Sequence, residues 1–349
     1  MRFEEDIKLD FKDVLLRPKR NEMTSRSEVE LHREFRFKHS KSRWNGIPIM
    51  TSNMDTVGTF EMYQSLEPKG ILTCFHKYYS VDDYNEYIKQ NGEFNPERFI
   101  LSTGIRDKDI ENIHSILNEM NNEQAKFLCI DVANGYSNKF LNTVRKFRER
   151  YPKLTLIGGN VVTREMVEEL SLEGGLDIIK IGLGNGSVCT TRVQTGVGYP
   201  QLSAVIECAD AAHGVGTQII SDGGVQCPGD ISKAFGAGAD FVMSGSLFAG
   251  HTECPGEIIT KNGKEYKEYY GMSSSTSMTK HYGKVDSYRS AEGIYTLLPH
   301  KGKVENTIQG ILGGIRSTCT YIGAKTLKDI PKCTTFMRVN RQVNDLIQK

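Results

Sequence analysis

The sequence predicts a (β/α)8 barrel, an α/β fold of eight parallel strands, as a single domain over residues 1–349. Eight short apolar runs recur between residues 47 and 244, with helix-compatible stretches between them. The runs are continuous rather than alternating, which is typical of strands buried on both faces of a parallel sheet. A doubly wound sheet is disfavoured, because it usually carries Gly-x-Gly-x-x-Gly after its first strand and residues 51–56 read Thr-Ser-Asn-Met-Asp-Thr.

The predicted barrel strands are numbered one to eight in chain order. They span 47–51, 70–75, 98–102, 126–131, 154–158, 177–181, 217–221 and 240–244. Helical patterns occupy 107–121, 137–151, 163–173, 203–213 and 228–236. In the third of these helices, Thr163 offers a hydroxyl as N-cap and acidic residues follow in the first turns. Because each strand is followed by a connection long enough for a helix, closure into a barrel is favoured.

Three segments lie outside this repeat. Residues 1–45 contain short alternating pieces at 13–19 and 27–31, which predict an N-terminal hairpin or cap, and Trp44 is expected to serve packing. Residues 250–303 form a long polar insertion, here called the lid segment, because insertions of this length in compact domains tend to be lids or binding loops. A helical period then begins at residue 304 and runs to 312.

The composition limits which partners and cellular locations are expected. The chain has 349 residues, 38% hydrophobic and 25% charged, with a formal net charge of +1, so we expect no nucleic-acid partner and no membrane partner. No run approaches the roughly 20 apolar residues of a membrane span, and the N-terminus lacks a signal-peptide core, which predicts a cytoplasmic protein. The eight cysteines include no Cys-x-x-Cys pair, which argues against structural zinc and for free thiols.

Chemistry in this fold lies at the carboxyl ends of the strands. Gly223-Gly224 follows strand seven and Gly245-Ser246 follows strand eight. Loop amides at these two strands often bind phosphate, so the pair of motifs favours a phosphate site, although the first alone would more often be a tight turn. The carboxylate of Asp222 is suited to a ribose diol.

The loop after strand six is the most unusual stretch. Residues 182–192 read Gly-Leu-Gly-Asn-Gly-Ser-Val-Cys-Thr-Thr-Arg. Its glycines allow close approach to backbone carbonyls and amides. Cys189 is a candidate nucleophile, because positive potential from nearby Arg192 favours thiolate over thiol. The alternative is a buried cysteine in an ordinary glycine turn.

This loop resembles the active-site loop of the family that contains IMP dehydrogenase and GMP reductase, in the pattern Gly-x-Gly-Ser-x-Cys-Thr-Thr-Arg. The resemblance covers nearly the whole chain. Asn185 stands where the family usually has proline, which changes the stiffness of the loop. Dehydrogenases of this family usually carry a pair of CBS modules in the second βα connection. Here only residues 78–96 separate strands two and three, so we expect no CBS modules.

The lid segment resembles the reductase branch. Residues 270–274 read Tyr-Gly-Met-Ser-Ser and residues 288–293 read Tyr-Arg-Ser-Ala-Glu-Gly, similar to the reductase forms, with serine and alanine exchanged relative to some members. Dehydrogenases present an Arg-Tyr pair to activate water, and this chain has the opposite order. The resemblance therefore implies NADPH-dependent reductive deamination of GMP to IMP and ammonia through a covalent cysteine–purine thioimidate, in purine salvage.

The same resemblance implies the site residues. The catalytic residues are Cys189, Thr191 and Glu292. The substrate-binding residues are Ser187, Asp222, Gly223, Gly224, Gly245, Ser246, Gly271, Met272, Ser273, Arg289, Ser290, Ala291 and Gly293. The cofactor-binding residues are Lys77, Asp131, Val132, Ala133, Leu183, Gly184, Tyr288, Ser317, Thr318 and Cys319, with a solvated surface charge as the alternative for Lys77. Carbonyls of Gly184, Gly186 and Cys189 would bind potassium, since carbonyl oxygens can replace its hydration shell. A homotetramer is also implied.

Three other functions stay open at this point. The nearest is an NAD-dependent IMP dehydrogenase that lacks CBS modules. The second is a catalytically silent barrel that senses nucleotides, for which replacement of Cys189 would have no effect. The third is a flavin-dependent barrel oxidoreductase, which would be yellow when purified.

Overall fold

Eight parallel strands close into a barrel in the computed structural model, which describes residues 1, 3–120, 124–284 and 290–340. Strands one to eight are Ile49–Thr51, Leu72–Cys74, Phe99–Thr103, Phe127–Asp131, Thr155–Val161, Ile178–Ile181, Gln218–Asp222 and Phe241–Ser244. Each overlaps a predicted strand, so the predicted fold is confirmed. Strand eight pairs with strand one, which closes the barrel and places residues after these two strands side by side.

The interior of the barrel is apolar along most of its length. Met50, Leu72, Ile100, Ile178 and Met243 belong to one fully buried cluster of inward-facing side chains. Because side chains alternate along a strand, Lys180 lies on the same inner face as Ile178 and nearer the carboxyl end. Strand six therefore carries one ammonium group into the barrel directly below the loops where the site was predicted.

Helices cover the outside of the barrel. They are Phe60–Leu66, Val81–Asn91, Asp107–Glu119, Asn138–Arg150, Arg164–Leu172, Gln201–Gly214 and Pro228–Gly236, with Val304–Ile322 and Ile330–Cys333 following the lid segment. The short helix Thr191–Thr195 lies in the loop after strand six. The five predicted helices are confirmed with small shifts of their ends. Thr163 does occupy an N-cap position, but its side chain makes no capping bond. Its hydroxyl accepts a hydrogen bond from the Tyr136 hydroxyl.

The amino-terminal end of the barrel is closed by a hairpin of Arg33–Arg36 and Arg43–Gly46. Trp44 is 1% exposed and packs there with aromatic side chains from the starts of strands four and eight, so its predicted packing role is confirmed. The pieces at 13–19 and 27–31, predicted to form a hairpin or cap, do not pair with each other as strands. Val14–Leu16 pairs with Phe336–Arg338 instead, a partner more than 300 residues away that local patterns do not reveal.

The lid segment is more regular than a loop. It contains a three-stranded antiparallel sheet of Ile259–Lys261, Lys264–Tyr270 and Tyr295–Pro299. The helix Ser275–Tyr282 follows the second of these strands in the chain and precedes the third. The central strand of the sheet contacts the carboxyl end of the barrel, where Tyr270 donates a hydrogen bond to Asp55 in the loop after strand one. The tail helix Val304–Ile322 also extends ten residues beyond the predicted period, through a glycine pair.

Two general features complete the fold. Among the described residues, every helix is too short or too polar to cross a lipid bilayer. In the same part of the chain, no group of three or more His, Cys, Asp or Glu side chains is arranged to hold a metal ion.

Candidate active site

A cavity of about 270 Å³ opens at the carboxyl ends of the strands. Its walls come from the loops after strands one and four to eight and from the lid segment. Many of the predicted substrate-site residues line it: Ser187, Cys189, Asp222, Gly223, Gly224, Gly245, Ser246, Gly271, Met272, Ser273 and Glu292. The barrel thus brings together side chains that lie far apart in the sequence.

Cys189, Thr191 and Glu292 form a continuous hydrogen-bonded line. The Thr191 hydroxyl donates to Glu292 Oε2 at 2.7 Å, and Cys189 Sγ lies 3.2 Å from Thr191 Oγ1. Since the hydroxyl proton is directed at the carboxylate, the thiol is the donor in the second contact. A proton can therefore pass between sulfur and carboxyl oxygen along two short steps.

The lid segment supplies Glu292 to this line through backbone pairing. Thr190 N donates to the Glu292 carbonyl at 2.9 Å, Ile294 N donates to the Val188 carbonyl at 3.0 Å, and Cys189 pairs with Gly293 as an isolated bridge. These bonds fix the register between the cysteine loop and the lid. The carboxyl group is consequently held by main-chain geometry and not by side-chain packing alone.

The Arg192 guanidinium, expected to supply positive potential near Cys189, makes its hydrogen bonds to other groups. It donates to the Tyr199 carbonyl at 2.6 Å and to Asp10 at 3.4 Å. The group that the structure places against the thiol is the Thr191 hydroxyl. Activation of the sulfur by transfer of its proton therefore has geometric support, whereas direct contact with Arg192 does not.

Asn185 joins the cysteine loop to the loop after strand seven. Its Nδ2 donates to the Asp222 carbonyl at 2.9 Å. Gly223 has a φ of +83°, and a side chain built there would meet Asn185 Oδ1 at 3.0 Å. A proline at 185 has no amide group to make this bond, so here a hydrogen bond replaces ring rigidity in holding the two loops together.

Gly245 lies where any side chain would collide with its neighbours. A Cβ at this position would lie 2.7 Å from Tyr269 Oη and 2.9 Å from Ser52 Oγ. Both neighbours line the cavity, and burial raises the pKa of Tyr269 to about 12, so this phenol stays protonated. Ser246 Oγ donates to the Val225 carbonyl at 3.0 Å. Sequence reasoning missed Tyr269 and Ser52, since neither belongs to a glycine motif.

A second cavity of about 530 Å³ adjoins the first. The two share Asn53, Asp131, Val132, Ala133, Met272, Ser273 and Glu292. Lys77 lines the second cavity and forms an ion pair with Asp109 at 2.8 Å, so it is not a solvated surface charge. Glu292 therefore stands at the boundary between two spaces, one beside the thiol and one beside a lysine.

Lys180 is the site residue that sequence reasoning missed most clearly. It is 2% exposed, and its ammonium group contacts Asp131 and, at 3.2 Å, Asp222. Burial alone would lower the pKa of Lys180, but attraction to the two carboxylates outweighs burial and raises that pKa well above its ordinary value. Asn160 Nδ2 adds a hydrogen bond to Asp222 at 2.9 Å. The available signal was a lysine inside an apolar parallel strand.

The remaining predicted residues are less closely grouped. Leu183 and Gly184 line the first cavity and not the second, and Ser290 lines the second. The carbonyl of Ala291 accepts a hydrogen bond from the Thr190 hydroxyl. Tyr288 and Arg289 lie outside the described residues.

Ser317, Thr318 and Cys319 lie on the outer helix Val304–Ile322, away from the linings of both cavities. Ser317 and Thr318 donate to carbonyls one turn earlier in that helix, and Cys319 is fully buried. Within this chain, then, the structure does not bring these three residues to the site.

The chemistry of the carbonyls predicted to bind potassium suits a monovalent cation. Gly184 has a φ of +76°, and the Gly186 carbonyl accepts the Cys189 amide at 3.0 Å. A carbonyl oxygen has two lone pairs, so this bond leaves one free. Neutral carbonyl oxygens are the type of ligand that potassium takes in proteins.

Known proteins resemble this chain over its whole length. A GMP reductase of Klebsiella pneumoniae is 57% identical over 344 residues, which cover 99% of this chain and 98% of that relative. GMP reductase 1 of Homo sapiens is 56% identical over 343 residues, 98% of each chain, and a GMP reductase of Caenorhabditis elegans is 54% identical over 99% of this chain and 96% of its own. The model of the IMP dehydrogenase / GMP reductase domain matches residues 8–344, and the chain therefore belongs to that family.

Proposed function

We propose that this chain is a GMP reductase, which converts GMP to IMP and ammonia with NADPH as reductant, in purine nucleotide salvage. The observation that carries the proposal is the line from Cys189 through Thr191 to Glu292 at the boundary of two adjoining cavities. The names of the relatives at 54–57% identity support the same reaction.

The proposed chemistry begins with the sulfur of Cys189. The thiolate adds to C2 of the guanine base, and the C2=N3 electron pair moves onto the ring nitrogen. Expulsion of the 2-amino group needs a proton at the leaving nitrogen, which Thr191 and Glu292 are placed to relay. Ammonia leaves, and a thioimidate between Cys189 and the purine remains.

The second half-reaction restores the free thiol. When bound, NADPH supplies a hydride to C2 of the covalent purine. Cys189 then leaves as the C2–S bond breaks, and IMP is released. The chain contributes by holding the covalent purine against the second cavity and by keeping its own hydroxyl and carboxyl groups at hydrogen-bond distance.

Substrate recognition follows from the first cavity. Amides and hydroxyls of the glycine motifs would hold the 5′-phosphate, with Ser187 opposite them, and Asp222 would accept the ribose hydroxyls. The base would lie against the lid: Gly271, Met272, Ser273, Arg289, Ser290, Ala291 and Gly293.

The second cavity, of about 530 Å³ and adjoining the first at Glu292, is where the nicotinamide cofactor would bind. Lys77 and Asp131 to Ala133 would hold the cofactor, and the lid segment would cover both ligands. Carbonyls of Gly184, Gly186 and Cys189 would hold potassium. We further propose a cytoplasmic homotetramer of single-domain chains without CBS modules, in which Ser317 to Cys319 belong to the cofactor site.

One assay tests the proposed reaction. The protein is incubated with GMP plus NADPH, and separately with IMP plus NAD, while nicotinamide absorbance and ammonia are followed. We expect absorbance to fall and ammonia to appear with GMP. Cys189→Ala should abolish both changes while GMP still binds. Absorbance that rises with IMP and NAD would identify a dehydrogenase, and unaltered turnover by Cys189→Ala would refute the covalent route.

A further inference from the structure

The lid segment is attached to the barrel at a second place, away from the nucleophile. Asp55 lies in the loop after strand one and is 4% exposed. Its Oδ2 accepts hydrogen bonds from Tyr270 Oη at 2.8 Å and Lys280 Nζ at 3.1 Å, and lies 2.6 Å from His281 Nε2. All three partners belong to the lid segment. One buried barrel carboxylate thus holds both the central strand of the lid and its helix.

The balance of burial and hydrogen bonding makes this contact costly to break. Burial would raise the pKa of Asp55, but hydrogen bonds from His281 and Tyr270 and the charge of Lys280 outweigh burial and lower that pKa. Asp55 Oδ1 has no hydrogen-bond partner among the described residues, so the carboxylate depends on the lid for its partners. A buried carboxylate deprived of its donors is strongly destabilising.

The anchored helix forms part of the second cavity. Met278 and Tyr282, from the helix Ser275–Tyr282, line that cavity. Tyr78, which also lines it, stacks on His281 with ring centroids 3.4 Å apart and planes 1° from parallel. The partner of Asp55 is therefore in direct contact with one wall of the cavity.

We propose that Asp55 is a positioning residue that anchors the lid helix and so shapes the wall of the cofactor cavity. Asp55 itself lines neither cavity, and it acts through His281, Lys280 and Tyr270. The proposal rests on the proposed function in one respect, that the second cavity holds the nicotinamide cofactor.

The test compares Asp55→Asn with a matched control, Asp240→Asn. Asp240 is 2% exposed and interacts with Arg33, His213 and the Ile219 amide, but it lies at the start of strand eight, at the opposite end of the barrel. Hydrogen–deuterium exchange of the ligand-free protein reports lid anchoring, and steady-state kinetics report the KM for NADPH. Tyr270→Phe, which removes one donor and keeps the ring, serves if Asp55→Asn folds poorly.

For Asp55→Asn, we expect amide exchange in the lid helix to accelerate by about tenfold or more and the KM for NADPH to rise by about tenfold. Tyr270→Phe should change both quantities in the same direction by less. Asp240→Asn should lower thermal stability while leaving both unchanged. Equal effects of Asp55→Asn and Asp240→Asn, or unaltered lid exchange in Asp55→Asn, would overturn the proposal. If the wild-type protein oxidised no NADPH with GMP, the proposed function would fail, and the exchange data would still decide whether Asp55 anchors the lid.

Discussion

Replacement of Lys180 by methionine should destabilise the protein in a pH-dependent way. The ammonium group compensates Asp131 and Asp222, whose side chains are 33% and 19% exposed to the open cavity. Breaking a buried ion pair costs about 3–5 kcal/mol, and because both carboxylates reach water we expect the lower end, about 3 kcal/mol. Unfolding entropy of about 2.1 cal/mol/K per residue over 349 residues is about 0.73 kcal/mol/K, so the melting temperature should fall by about 4 °C.

The pH dependence follows from Asp131. In the wild-type protein, attraction to Lys180 outweighs the effect of burial and lowers the pKa of Asp131. The ionised Asp131 side chain therefore stabilises the fold at pH values above its unfolded pKa. This stabilisation is lost only as pH falls through the folded pKa. Without the ammonium group, burial should raise the pKa of Asp131 above the unfolded value. The stability of Lys180→Met should then decline as pH rises through that folded pKa. The difference in stability between wild type and variant should therefore be larger at about pH 8 than at about pH 5.

Thermal unfolding by calorimetry at the two pH values measures this effect. The pKa of Lys180 is raised well above its ordinary value, so the lysine stays charged throughout the range and adds no pH dependence of its own. The double variant Lys180→Met/Asp131→Asn is the control, and its deficit should be nearly the same at both pH values. The reasoning is refuted if the deficit of Lys180→Met is also the same at both, or if the variant is as stable as the wild type.

Two further predictions concern the first cavity. Gly245→Ala should raise the KM for GMP by about tenfold or more, because its Cβ would lie 2.7 Å from Tyr269 Oη and 2.9 Å from Ser52 Oγ. Gly310→Ala is the exposed helical control, since its Cβ would meet no described atom within 4 Å other than its chain neighbours and its own helix backbone. Its stability should rise by about 1 kcal/mol with an unchanged KM for GMP, and equal kinetics of the two variants would contradict this account. Thr191→Val and Glu292→Gln should each slow ammonia release in single-turnover experiments by about 10²- to 10⁴-fold while GMP affinity is retained; normal release by both would exclude the relay.

Features encoded by local pattern were predictable from the sequence. Buried parallel strands are continuous apolar runs, so all eight barrel strands were located within a few residues. The glycine loop 182–192 is a contiguous motif, and its cysteine and threonine are neighbours in sequence. Placing Glu292 beside them required the resemblance to a family, since it lies 101 residues from Thr191.

Features that depend on three-dimensional register were not predictable. Ser52 contacts the position of Gly245 only because strand eight pairs with strand one, so the two loops adjoin. The same holds for Lys180. The sequence shows a charged residue in an apolar strand, but it does not show that Lys180 pairs with carboxylates on strands four and seven. Asn185 was recognised as a departure from proline, but its bond to Asp222 follows from how two loops approach each other.

The hydrogen-bonded line from Cys189 through Thr191 to Glu292 depends on docking of the lid segment. Glu292 reaches Thr191 through a strand that pairs with the cysteine loop at Cys189 and Gly293. Any side chain at Gly293 would be tightly packed there, because a Cβ would lie 3.1 Å from the Gly271 Cα and 3.3 Å from the Val188 carbonyl oxygen. A displaced lid would therefore separate the Glu292 carboxylate from Thr191 and Cys189, and it would open both cavities to water. Under the proposed reaction, protonation of the leaving amine would therefore require the docked lid, which would also shield the covalent purine from water.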